Sequence, residues 1–140
     1  MPAAELVYLD SSAFVKLVLP EPETPALVAA LKGTVRLVAS EILEVEVLRA
    51  TRRGGGDAAA ARAQLAAVRL LPLGAEIRKQ ASELNPPTVR SLDAIHMATA
   101  LSLGDRLGAL YTYDERMILA ARKAGLDVEA PVDPDALLRG

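Results

Sequence analysis

Short, wholly apolar runs alternate along this chain with longer stretches of helical period. Leu6-Val7-Tyr8-Leu9 is such a run, closed by Asp10, and it reads as a strand buried in a parallel sheet. Ser11 and Ser12 offer N-caps for the apolar helix that follows, which Pro20 and Pro22 end. Thr24-Pro25 opens a second helix to about Lys32, closed by Gly33. Residues 35–38 predict a second strand, and Ser40 caps a long helix from Glu41 to Arg53, stopped by three glycines. Asp57 caps an alanine-rich helix to about Arg69. Leu70-Leu71-Pro72-Leu73 predicts a short edge strand, because proline cannot donate inside a sheet. Helices over Ala75–Leu84 and Leu92–Leu103, the latter capped by Ser91, lead to a strand at 109–113 that Asp114 closes. A helix over Glu115–Ala124 and a last strand at 128–130 complete the pattern. Strands alternating with helices predict an α/β fold, with a central, mainly parallel β-sheet flanked by helices on both faces.

The length of 140 residues suits a single domain spanning 1–140. Hydrophobic residues make up 51%, enough for a proper core. There are no cysteines, which excludes disulfides, thiolate zinc sites and cysteine nucleophiles. There is one histidine, His96, so the multi-histidine catalytic zinc arrangements are excluded too. What remains is carboxylate chemistry: 18 Asp and Glu against 16 Lys and Arg, a formal charge of −2. That balance speaks against broad non-specific nucleic-acid binding and leaves room for a local patch. Residues 1–5 carry no basic run and no apolar leader, and no run of about 18 apolar residues occurs, so the expectation is a cytoplasmic protein without a membrane partner.

Asp10 and Asp114 each follow a strand, and ligands of parallel α/β sheets gather at the carboxyl ends of strands. Either acid alone would serve equally as a helix N-cap. Asp93 lies in the first turn of a helix that is apolar or small nearly all round. The helix dipole favours an acid there by about 0.3–1 kcal/mol, but burial asks for a partner or a metal. His96, one turn on, reads as a partly buried ring bonded to backbone or to Asp93, not as a catalytic group. Glu41, Glu44 and Glu46 compete for a fourth position, and spacing does not choose between them. Converging carboxylates repel one another, and a divalent cation removes that penalty. Mg²⁺ or Mn²⁺ takes oxygen ligands and serves phosphodiester hydrolysis, so the acids point to that chemistry.

Four segments carry a family resemblance: Val7-Tyr8-Leu9-Asp10-Ser11-Ser12-Ala13, Glu46-Val47-Leu48-Arg49, Ser91-Leu92-Asp93-Ala94-Ile95-His96-Met97-Ala98, and Tyr111-Thr112-Tyr113-Asp114-Glu115-Arg116-Met117. In this order, from Leu6 to about Val132, the chain resembles the PIN-domain family, and within it the VapC toxins of bacterial VapBC toxin–antitoxin systems. The resemblance implies a PIN-like fold whose catalytic acids are Asp10, Glu46, Asp93 and Asp114. Glu46 is selected because the family's second acid has an arginine three residues on, here Arg49. The resemblance makes Asp10, Asp93 and Asp114 the metal ligands, with Ser12 and Thr112 as supporting hydroxyls. It implies a Mg²⁺-dependent (or Mn²⁺-dependent) endoribonuclease cutting structured RNA such as tRNA or ribosomal RNA, leaving 5′-phosphate and 3′-hydroxyl ends. It also implies a small VapB-type antitoxin and a homodimer. Arg49 would contact RNA or the antitoxin, whereas Arg52 and Arg53 read as a solvated helix end. Two other readings accompany this one: an RNA-processing nuclease without an antitoxin, and a non-catalytic PIN-like interaction module. An aspartyl-phosphate phosphotransferase is disfavoured, since Ser12 stands where such enzymes want a second Asp.

Overall fold

The first apolar run becomes the middle strand of the sheet. The computed structural model describes residues 5–33 and 36–135. In it β1 (Leu6–Leu9) is flanked by β2 (Arg36–Ser40) and β4 (Leu107–Tyr111), with β3 (Val68–Leu71) and β5 (Val128–Glu129) at the edges. All four pairings are parallel, in the order β3-β2-β1-β4-β5. The helices are α1 (Ser11–Val18), α2 (Thr24–Leu31), α3 (Ile42–Arg53), α4 (Ala58–Leu65), α5 (Ala75–Ser82), α6 (Ser91–Leu101) and α7 (Glu115–Lys123). Among them α1, α3 and α4 pack on one another, and α5 packs on α6. Right-handed crossovers carry α1–α4 to one face of the sheet and α5–α7 to the other.

Tyr8, Leu9, Phe14, Leu27, Leu43, Met97, Leu110 and Met117 fill the core and exclude solvent almost completely. Burying each such side chain contributes roughly 1.5–3 kcal/mol. The end of α7 shows how the chain stops a helix. Gly125 sits at φ +88°, its N–H donates to the Arg122 carbonyl, and the Leu126 N–H reaches back to Ala121. A side chain at that φ would clash with its own backbone, so glycine belongs there.

Several boundaries differ from the sequence pattern; α5 ends at Ser82, and α6 takes Arg90 as its N-cap, with Ser91 already inside the helix. The second strand runs on through Ser40, so Ser40 closes β2, and its hydroxyl still accepts the Ile42 N–H at 3.3 Å at the start of α3; Val35, like residues 1–4, lies outside the described residues. The alanine-rich helix stops at Leu65, because Val68 is buried and pairs with Leu37 in β3. Sheet pairing there outweighs helix propensity. Likewise β4 starts at Leu107, opposite Leu6, and ends at Tyr111, two residues earlier than the apolar run suggests. Thr112 and Tyr113 thereby become a turn between the strand and Asp114. No helix among the described residues is long and apolar enough to cross a membrane.

The strand order reverses between β1 and β4, whose onward connections leave in opposite directions. That leaves a crevice at their carboxyl ends, the usual ligand position in such sheets.

Candidate active site

Asp10 sits at this crevice. Its N–H continues the β1–β4 pairing by donating to the Tyr111 carbonyl at 3.2 Å. Its Oδ1 accepts from the Ala13 N–H at 3.0 Å, capping α1, and from the Ser12 hydroxyl at 2.7 Å. Burial pushes this carboxyl above its ordinary range, and bonds from Thr112, Ser12 and Ala13 work against that rise. Ser12 Oγ also accepts the Tyr113 N–H at 2.9 Å and lies 3.2 Å from Thr112 Oγ1. Thr112 Oγ1 in turn accepts the Asp114 N–H at 3.2 Å. The two hydroxyls therefore tie the first acid to the turn that carries the last one.

Asp114 caps α7, with Oδ1 accepting the Met117 N–H at 3.0 Å. Asp93 projects from the first turn of α6, half-buried, and among the described residues no hydrogen bond reaches its carboxylate. Its pKa is raised first by desolvation, then by the charges of Asp114 and Asp10, with His96 and Arg90 opposing. Asp93 thus feels the charges of both Asp10 and Asp114. As they stand, no three acid or histidine side chains among the described residues close around a common point. Such a donor set does not make an all-protein cage. It fits a hard cation that keeps several waters and takes one or two carboxylates, which is the preference of Mg²⁺.

Glu46 approaches from α3 and is held differently. Its Oε2 accepts from the Ser11 hydroxyl at 3.0 Å, and its Oε1 lies 2.6 Å from His96 Nε2. The His96 ring is only 1% exposed, and its Nδ1 lies 2.6 Å from the Tyr8 hydroxyl. Tyr8 meets the ring edge-on, with centroids 5.7 Å apart, and its oxygen accepts the Ser40 N–H at 2.9 Å. Burial drives the Tyr8 phenol well above its ordinary pKa. Where the sequence suggests Asp93 or backbone as the partner of His96, its side-chain partners are instead Tyr8 and Glu46. Tyr8 and Asp10 lie two apart on one face of β1, while His96 and Asp93 lie one helical turn apart on α6. That matched spacing was the sequence signal for the pairing. The competing glutamates are engaged elsewhere. Glu41 accepts the Leu73 N–H, and Glu44 faces the edge formed with Arg62 and Leu65.

A cleft of about 580 Å³ opens over Ser12, Glu46 and Asp114. Val45 and Leu92, 59% and 49% exposed, form apolar parts of its wall, and Arg49 and Arg53 also line it. Lys16 lies in the same cleft but is bound to Glu21 at 3.0 Å and Glu23 at 3.1 Å. A second cleft of about 400 Å³ holds Asp93 together with Arg90, Arg116 and Lys123. Among the described residues, Arg49, Arg53, Arg90, Arg116 and Lys123 form no ion pair.

Comparison with known proteins places these features in context. The family model described as PIN domain matches residues 7–123. The chain is 45% identical over 126 residues to Ribonuclease VapC46 of Mycobacterium tuberculosis, covering 89% of this chain and 97% of that protein. It is 36% identical over 132 residues to Ribonuclease VapC47 of the same species, covering 90% and 97%. Among solved structures it is similar to Mycobacterium tuberculosis VapC20, a sarcin-ricin loop cleaving toxin, with TM-score 0.67 and 18% identity over 86% of this chain and 95% of that one. It is also similar to a chain of a toxin–antitoxin complex from Klebsiella pneumoniae, with TM-score 0.69 and 18% identity over 91% and 98%. At that identity the two structures speak to the fold.

Proposed function

The chain belongs to the PIN-domain family and, within it, to the VapC ribonucleases, and from that premise we propose that it is a Mg²⁺- or Mn²⁺-dependent endoribonuclease toxin. The observation that carries this reading is the crevice between β1 and β4, where Asp10 and Asp93 are raised by burial and Asp93 also by its acidic neighbours. The protein supplies these acids with hydroxyls and backbone N–H groups but leaves Asp93 without a hydrogen-bond partner among the described residues. A buried and a half-buried carboxylate, the second without a donor of its own among the described residues, are a site arranged for a cation.

In this reading Asp10 and Asp93 hold the cation, while Asp114 and Glu46 complete the cluster directly or through water. When bound, the cation supplies polarisation of the scissile phosphate and of the attacking water. Ser12 keeps the Asp10 carboxylate turned into the crevice, and Thr112 keeps the Asp114 turn beside it. A cluster carboxylate takes the proton of the attacking water. Arg49 in one cleft and Arg90 and Arg116 in the other lie on either side of the acids, free to hold phosphates of an RNA strand crossing them. The substrate proposed is structured RNA, tRNA or ribosomal RNA.

The protein partner proposed is a VapB-type antitoxin. The larger cleft suits it: Val45 and Leu92 offer apolar contact, and the acids accept a basic side chain. A homodimer is the proposed assembly, to be checked by light scattering. The deciding experiment is cleavage of a structured RNA with the product ends mapped. Mg²⁺-dependent scission leaving 5′-phosphates is expected; cleavage that persists unchanged in a chelator counts against the mechanism. Expression alone should arrest growth, and co-expression of a neighbouring short antitoxin gene should relieve it; growth unaffected by an active chain would favour an RNA-processing nuclease.

A further inference from the structure

We propose that His96 is a positioning residue. Donating from Nε2 it fixes the Glu46 carboxylate at the crevice, and the Tyr8 hydroxyl holds the ring from the Nδ1 side. The inference deepens the nuclease reading above and rests on it for the role of Glu46.

The order of donors follows from one group that has no choice. The Ser40 N–H can only donate, so at 2.9 Å the Tyr8 oxygen is its acceptor. The other close neighbours of the Tyr8 oxygen are His96 Nδ1, at 2.6 Å, and the Thr99 hydroxyl. On the far side of the ring the Glu46 carboxylate only accepts, so Nε2 carries a proton. That proton points at Glu46 Oε1, again at 2.6 Å. The opposite tautomer would set a ring lone pair against a carboxylate oxygen at the same distance, two acceptors with no proton between them. The Ser11 hydroxyl donates to Oε2 at 3.0 Å, so each oxygen of Glu46 receives one donor and the carboxylate has no free rotation left.

The chain of bonds runs from the β2 backbone through β1 and α6 to α3, joining four elements around the crevice. Neither Tyr8 nor His96 lines either cleft, so both act through Glu46 rather than on RNA. Packing alone does not call for an imidazole here. Leucine or methionine would fill the volume without placing two polar nitrogens in a buried position, where each needs a partner.

The chain has a single histidine, so ¹⁵N spectra of its ring are unambiguous in the intact protein. At neutral pH, without metal or RNA, the spectrum is expected to show a proton on Nε2, and Tyr8→Phe is expected to shift the Nδ1 resonance while leaving that proton in place. In cleavage assays His96→Leu should lower kcat about 10- to 100-fold with KM little changed. His96→Gln, whose amide N–H reaches close to where Nε2 lies, should recover most of the loss. A wild-type ring with no proton on Nε2 overturns the proposal. So does a folded His96→Leu variant with unaltered kcat, or a His96→Gln variant no better than it. If His96→Leu does not fold, the wild-type spectrum and the Gln variant decide. A wild-type chain that cleaves no RNA with any divalent cation sinks the nuclease reading instead, and the ring spectrum still tests the tautomer.

Discussion

Glu46 and Asp93 are both acids of one crevice, yet the protein treats them in opposite ways. Glu46 has a donor on each oxygen, one from Ser11 and one from His96. Asp93 has none among the described residues, and its pKa is raised by burial and by Asp114 and Asp10. A carboxylate with its lone pairs engaged is a fixed reference point. A carboxylate left unengaged beside like charges is destabilising until something positive arrives. The site therefore separates into a part built by the fold and a part completed by the ligand.

The sharpest way to break this contrast is to remove the unengaged charge of Asp93 and, for comparison, the buried charge of Asp10. Asp93→Asn and Asp10→Asn should each abolish cleavage, by about a thousandfold or more, in product-mapping assays on folded protein. Asparagine is preferred at Asp10 because it keeps the cap on α1 that alanine would lose, at about 1 kcal/mol. Activity near wild type in either variant would refute their role.

The stability of the same variants sharpens the contrast from the other side. Asp10 and Asp93 have raised pKa values in the folded chain. Stability linked to their protonated forms is fully present below the ordinary value of 3.8 and is lost as pH rises through the folded values. The metal-free protein should thus melt higher on mild acidification from neutral pH, and Asp93→Asn should melt about 2–5 °C above wild type at pH 7. Calorimetric melts of both proteins from pH 7 to pH 5 check this. A wild type that is most stable at the upper end, with no gain from Asp93→Asn, would contradict the charge-repulsion argument.

Smaller effects belong to the cations outside the acid cluster. Arg49→Ala and Arg116→Ala should weaken RNA binding and each lower the slope of log K against log salt by about one, with kcat largely kept. Filter binding over a salt series measures that slope, and an unchanged slope removes the residue from the RNA path. Smallest of all is Ser12→Ala. It deletes one donor to Asp10 but leaves the Ala13 N–H in place, so cleavage should fall by about tenfold.

Much of this was legible in the sequence. The run Leu6–Leu9 followed by Asp10 announced the central strand, and the alternation of strands and helices announced the parallel sheet. The end of the alanine-rich helix was not legible, because alanine has no local reason to leave a helix; the pairing of Val68 with Leu37 decides it. The frame of β4 was hidden for a similar reason, since Tyr111, Thr112 and Tyr113 look alike to a strand pattern and the register with β1 selects where it stops. At the site, Glu46 could not be chosen over Glu41 and Glu44 by periodicity, and the family resemblance chose it. The structure gives the physical distinction, placing Glu46 on His96 and Glu41 on the Leu73 backbone. The partners of His96 are not legible locally, because they come from the strand and helix packed opposite it, not from its own helix.

The central claim is that the crevice between β1 and β4 is built to receive a divalent cation. Titration calorimetry with Mn²⁺ on the wild-type chain and on Asp93→Asn tests it most directly. One specific, saturable binding event in the wild type, lost in Asp93→Asn, is the expected result; a wild type that shows no binding, or an Asp93→Asn variant that binds as tightly, would contradict it.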